Sequence, residues 1–150
     1  MNLHTDFVDL LAAFAEHEAR YLLIGGYAVG FHAQPRATKD MDLLVDGGPE
    51  NMVRIHDALA TFGAPIHVLE ATKTAGPEDI LFLGRPPVRV DILQEIPGVS
   101  FAKSYERRVE VTVRGITVPI IGKQDLIAAK RASGRLQDLA DVQALENTGS

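Results

Sequence analysis

The run Leu22-Leu23-Ile24-Gly25-Gly26-Tyr27-Ala28, and shortly after it Arg36-Ala37-Thr38-Lys39-Asp40-Met41-Asp42-Leu43-Leu44-Val45, decides how this chain is read. Apolar Leu22–Ile24 reads as a short buried strand that ends on a glycine pair and turns into a helix. Such a turn lets backbone N–H groups approach a phosphate at a helix N-terminus. Met41–Val45 reads as the next strand. Side chains two apart on a strand share a face, about 6.6 Å apart along it, so Asp40 and Asp42 point together. Two convergent carboxylates repel unless a cation lies between them, and a hard divalent ion with oxygen ligands, magnesium first, suits that place.

Outward from this centre the chain alternates helices and strands without the regular rhythm of a doubly wound sheet. Phe7, Leu10, Leu11 and Phe14 predict a first helix from Asp6 to about Ala19, capped by Thr5 or Asp6, and the strand that follows starts near Arg20. Tyr27 to about His32 is the helix after the glycines, closed near Gln34-Pro35. Pro49 opens a helix carrying Met52, Ile55, Leu59 and Phe62 as far as Gly63. Ile66–Leu69 is expected as a short strand and Glu70–Glu78 as an exposed loop. Two hairpins follow, Ile80–Leu83 with Val88–Leu93 around Gly84–Pro87, and Val109–Val113 with Ile116–Ile120 around Arg114-Gly115. Pro119 places its strand at a sheet edge. Helices over Lys123–Ala132 and Leu136–Leu145 close the chain. The expected fold class is α+β, a mixed β-sheet flanked by helices with C-terminal helices. It forms one domain over 1–146, with 147–150 a flexible tail.

Composition sets limits. The chain has 150 residues, 46% hydrophobic, no cysteine and a formal net charge of −5. It is long enough for one core. Lack of cysteine removes disulfides and thiolate-bound zinc. No apolar run approaches a bilayer span and no secretory leader is evident, which points to a cytoplasmic protein with no membrane partner. Negative charge argues against sequence-independent duplex binding. The histidines at 4, 17, 32, 56 and 67 have no ligand spacing.

Taken together, Gly25-Gly26, Asp40-x-Asp42 and Asp91 in Val88-Arg89-Val90-Asp91-Ile92-Leu93 resemble the nucleotidyltransferase superfamily, whose signature is a glycine turn, an acidic pair on the next strand and a third acid on a later one. Arg36–Lys39 and the tail from Asp125 to Asp141 are similar to the small stand-alone bacterial members, minimal nucleotidyltransferases and abortive-infection-type toxins. The resemblance implies transfer of a nucleoside monophosphate from a nucleoside triphosphate to a hydroxyl. Catalysis and metal binding would fall to Asp40, Asp42 and Asp91, with two Mg2+ ions, Mn2+ being an alternative. Gly25, Gly26, Arg36, Lys39 and Lys130 would bind nucleotide, and Asp138 and Asp141 would support the site. The acceptor, a small molecule, a tRNA or other RNA end, or a protein, stays open, as does a homodimer or an antitoxin partner. A second reading is a catalytically silent nucleotide-binding or toxin–antitoxin protein of the same fold. Simpler roles compete residue by residue: an ion pair of Asp91 with Arg89 or Arg85, helix pairing of Asp138 with Arg135, and a structural His32.

Overall fold

The computed structural model describes residues 1–34, 38, 40–85 and 88–148. The first helix, α1 (Thr5–Glu16), buries Phe7, Leu10, Leu11 and Phe14 on the expected stripe. His4 is its N-cap, Nδ1 accepting from the Asp6 N–H at 3.0 Å, in place of the expected Thr5 or Asp6. It stops short of Ala19 because Glu18 takes a left-handed conformation at φ 55°.

Four consecutive buried residues make β1 (Tyr21–Ile24), and α2 (Gly25–His32) begins directly on the glycine pair, earlier than expected. β2 (Asp40–Val45) returns antiparallel to β1, with Ile24 opposite Asp42. Pro49 occupies the first turn of α3 (Pro49–Phe62), and Gly63 ends it with φ 96°, the left-handed C-cap that glycine tolerates best. The buried Asn51 side chain stitches this helix to the strands. It accepts from the Arg20 N–H at 2.8 Å and donates to the carbonyls of Arg20 at 3.0 Å and Asp46 at 2.8 Å.

The segment expected as strand and loop is a helix, α4 (Ile66–Thr74). It buries only Val68 and Thr72, an i, i+4 pair, so the sequence carries no broad apolar stripe to announce it. Of the hairpin strands, β4 (Val88–Leu93) has the expected bounds, while β3 (Ile80–Arg85) extends further than expected, with Gly84 and Arg85 inside the ladder opposite Arg89 and Val88. A short helix absent from the sequence reading, α5 (Phe101–Glu106), precedes β5 (Val109–Val113) and β6 (Ile116–Ile120). The chain then forms α6 (Lys123–Ser133) and α7 (Leu136–Glu146). Beyond α7, the Thr148 hydroxyl donates to the Leu145 carbonyl at 2.7 Å and meets the Lys123 amine.

The six strands form one mixed sheet in the order β3-β4-β2-β1-β6-β5. Pro119 is therefore not on an edge strand. β1 engages β6 only at its end, through Leu23 and Ile120, so the proline sits where the ladder is nearly one-sided. Across the centre of the sheet, Met41, Leu43, Val90, Ile92, Leu81, Leu83 and Leu23 occupy one face, and all are buried. The opposite face carries Asp40, Asp42, Arg89, Asp91 and Phe82. This is an α+β fold with a mixed sheet, flanking helices and C-terminal helices. Among the described residues no helix is long and apolar enough to cross a membrane.

Candidate active site

β2 and β4 run parallel, and their register sets Asp42 directly opposite Asp91 and Asp40 opposite Arg89. Neighbouring strands lie about 4.8 Å apart, so Asp91 joins the acidic pair on one face of the sheet. On the other side of β2, Asp42 faces Ile24, the last residue before the glycine turn. One row across the sheet therefore reads Phe82, Asp91, Asp42, Ile24.

All three carboxylates line a cavity of about 630 Å³ together with Gly25, Leu93, Lys130, Arg135 and Asp138. Gly25 has φ +68°, and a Cβ built on it would overlap the Asp42 carboxylate. Only glycine lets the turn pass this close to the acid. Ile24 offers no side-chain cap to α2, which leaves the first N–H groups of the helix available to an anion.

Electrostatics mark Asp42. Its carboxyl is pushed up from the ordinary 3.8 to about 6, first by burial and then by the negative charges of Asp91 and Asp40, with Lys130 and Arg89 pulling the other way. Asp40 Oδ1 is buried with no hydrogen-bond partner among the described residues. A buried, unsatisfied carboxylate oxygen beside a strained acid is what a hard cation would relieve, and the donor set is all oxygen. As they stand, however, no three histidine or acidic side chains among the described residues form a ready metal cage. Both oxygens of Asp91 are engaged by Arg89, Nε at 2.8 Å from Oδ1 and Nη2 at 3.4 Å from Oδ2.

Lys130 reaches the cavity from α6, but its amine is held by two acids of α7, 3.3 Å from Asp138 Oδ1 and 3.1 Å from Asp141 Oδ2. Asp138 also accepts from Arg135 Nε at 2.8 Å. The Arg135 hydrogen bond comes first among the effects that hold the Asp138 carboxyl well below the usual range despite its burial. The Asp138–Arg135 pairing expected as the simple role is thus present alongside the contact to Lys130. His32 has a structural role, Nε2 donating to the Ile121 carbonyl at 2.7 Å. Tyr27 donates to the Thr38 carbonyl at 3.1 Å.

The structure thus brings Asp40, Asp42, Asp91, Gly25 and Lys130 to one cavity. Gly26 does not line it and faces a second depression of about 410 Å³ with Tyr27 and Phe31. Arg36 and Lys39 lie outside the described residues. The sequence reading assigned no site role to Arg135, Phe82 or Arg89. Arg89 had a signal, its position two before Asp91, whereas Phe82 had none, because only strand pairing brings it opposite the acid.

Residues 4–148 match the family described as nucleotidyltransferase of unknown function (DUF6036). No curated protein matches the sequence. Among solved structures, the lincosamide antibiotic adenylyltransferase LnuA, lincomycin-bound, aligns with TM-score 0.62 and 14% identity over 98% of each chain. The Thermotoga maritima protein TM1012, assigned to the nucleotidyltransferases, aligns with TM-score 0.60 and 15% identity, over 95% of this chain and 91% of its own. The antibiotic-resistance factor ANT(2'')-Ia gives TM-score 0.56 and 12% identity, over 94% and 80%. At these identities the likeness is one of fold.

Proposed function

The chain belongs to this nucleotidyltransferase family, and from that premise we propose that it is an active, metal-dependent enzyme moving a nucleoside monophosphate from a nucleoside triphosphate to a hydroxyl. The observation that carries the reading is the register of β2 against β4, which puts Asp91 beside Asp42 and Asp40 at a cavity walled by Gly25 and Lys130.

In the proposed reaction the acceptor oxygen forms a bond to the α-phosphorus while the bond to the bridging oxygen breaks and pyrophosphate leaves with the electron pair. The hydroxyl proton passes to a carboxylate, and Asp91 is assigned that role. Asp40 and Asp42 would hold the ions jointly and Asp91 would complete the set on the acceptor side. Bound Mg2+, or Mn2+ in its place, supplies charge stabilisation of the attacking and leaving oxygens. Gly25, at the start of the glycine turn, and Lys130 would meet the triphosphate, and Gly26, Arg36 and Lys39 are assigned to it from the sequence alone. For Lys130 this means sharing an amine already held by Asp138 and Asp141.

Acceptor class follows from two considerations. LnuA was solved with lincomycin and ANT(2'')-Ia with adenylyl-2''-tobramycin, both small molecules. A chain of net charge −5 repels a polyanionic RNA. A small hydroxyl compound is the acceptor we favour. The Arg89 contact to Asp91 supports a second reading, a nucleotide binder without turnover, with or without a toxin–antitoxin partner.

One experiment separates them. Pyrophosphate release is followed with Mg2+ and each of the four triphosphates over a panel of hydroxyl acceptors, with Asp42→Ala as control. Release that depends on acceptor and vanishes in the control is expected. Tight triphosphate binding with no release on any acceptor would favour the binder.

A further inference from the structure

Three observations meet at Arg89. The guanidinium engages both oxygens of Asp91. Its carbon lies 4.6 Å from the centre of the Phe82 ring, which is itself half exposed on the edge strand β3 and directly opposite Asp91. Arg89 also stands across from Asp40 in the β2–β4 register. The side chain is thus surrounded by the acids that would hold an ion. It sits there as a positive charge, with a flat aromatic seat beside it.

We propose that Arg89 is a resident counter-cation that holds Asp91 out of the metal set while the cavity is empty of ions, with Phe82 as the seat that keeps the guanidinium in place. The inference rests on the nucleotidyl-transfer reading. A guanidinium and a divalent ion draw on the same two oxygens and repel each other, so the ion gains full use of Asp91 when Arg89 lets go. The planar fork of arginine suits this, because it binds a carboxylate through two nitrogens and stacks on a ring at the same time. The hold is modest. Arg89 is partly open to solvent, 37% exposed, and both a partly exposed ion pair and a partly exposed cation–π contact are weak. Their sum corresponds to about a three- to tenfold handicap on ion binding. Arg89 is therefore a positioning residue acting through Asp91.

The test is nucleotide-free Mn2+ titration of the full chain, with the free ion read by electron paramagnetic resonance. Arg89→Gln is expected to bind Mn2+ about three- to tenfold more tightly than wild type. Phe82→Ala, which removes the seat and keeps the charge, is expected to gain about two- to threefold. Arg89→Gln made on an Asp91→Asn background and compared with Asp91→Asn alone separates release of Asp91 from the mere loss of a nearby positive charge. The gain should disappear in that comparison, and a gain that survives there would overturn the proposal. An Arg89→Gln protein that binds Mn2+ no more tightly than a binding-competent wild type would overturn the role of Arg89 alone. If neither protein takes up Mn2+ without nucleotide, this inference is overturned, while the nucleotidyl-transfer reading stands or falls on pyrophosphate release.

Discussion

At the scale of single residues, Asp42 carries a cost the fold accepts for the sake of the site. A buried carboxyl raised from 3.8 to about 6 disfavours the ionised folded state by up to about 3 kcal/mol, and with part of the group open to solvent about 1–2 kcal/mol is expected. The sign is definite. Below about pH 3 the group is protonated in both states and costs nothing. As pH rises from about 3 to 6 the unfolded chain loses the proton that the folded one still holds, so stability falls, and above about 6 the penalty is complete. Asp42→Asn is therefore expected to raise the melting temperature at pH 7.5, without divalent ions, by about 3–6 °C. It should also abolish transfer, and the thermal gain should vanish near about pH 3. Scanning calorimetry at the two pH values checks this. Gly25→Ala should do the opposite at the same spot. Its φ of +68° strains any side chain and its Cβ would strike the Asp42 carboxylate, so about 1–3 kcal/mol of stability should be lost together with activity. Urea denaturation gives the first number. The nearness of the two was foreshadowed in the sequence, because a glycine pair that ends one short apolar strand and an acidic alternation that opens the next meet when the strands pair. Arg89 was visible only as a possible partner of Asp91, since nothing in a sequence says which rotamer an arginine takes.

At the scale of elements, the site depends on how α6 and α7 are held together. Lys130, Arg135, Asp138 and Asp141 form a small charge-balanced network, and Asp138 and Asp141 are 1% and 3% exposed. Removing the amine would leave two buried carboxylates facing one another. Lys130→Ala is therefore expected to cost about 3–5 kcal/mol in urea unfolding, independent of nucleotide. A lysine serving nucleotide alone would leave stability unchanged, so the measurement divides the two roles. The motif pattern singled out these residues, but the i, i+3 spacing of Asp138 and Asp141 could not reveal that both turn toward Lys130 of α6. The elements misread are those with little hydrophobic signal. α4 has β-branched residues at its start and a buried stripe of two residues, so its local pattern imitates a strand and loop. α5 is six residues long and buries only Ser104, whose small polar side chain carries no period. The strands, by contrast, were found because they are apolar runs or alternations bounded by turn residues, and the β2–β4 pairing sets Asp91 opposite Asp42.

For the molecule as a whole, the proposed transfer leaves the acceptor to be identified. The chain is acidic, and three aspartates from two neighbouring strands concentrate negative charge at the floor of the cavity. Lys130 and Arg135 lie nearby, but both already pair with Asp138. Among the described residues that line the cavity, the cations Lys130 and Arg135 are both paired, so a polyanionic acceptor would have to compete for them with Asp138. A small hydroxyl compound meets no such barrier. Incubation with α-labelled triphosphate, Mg2+ and either bulk tRNA or a pool of lincosamide and aminoglycoside compounds should therefore put label on a species that passes a small-cutoff filter, and none on RNA. Lowering the ionic strength should leave the RNA unlabelled, because the missing attraction is not a screened one. Label on tRNA that strengthens as salt falls would reverse this assignment and place a basic surface on Arg36, Lys39 or a partner chain.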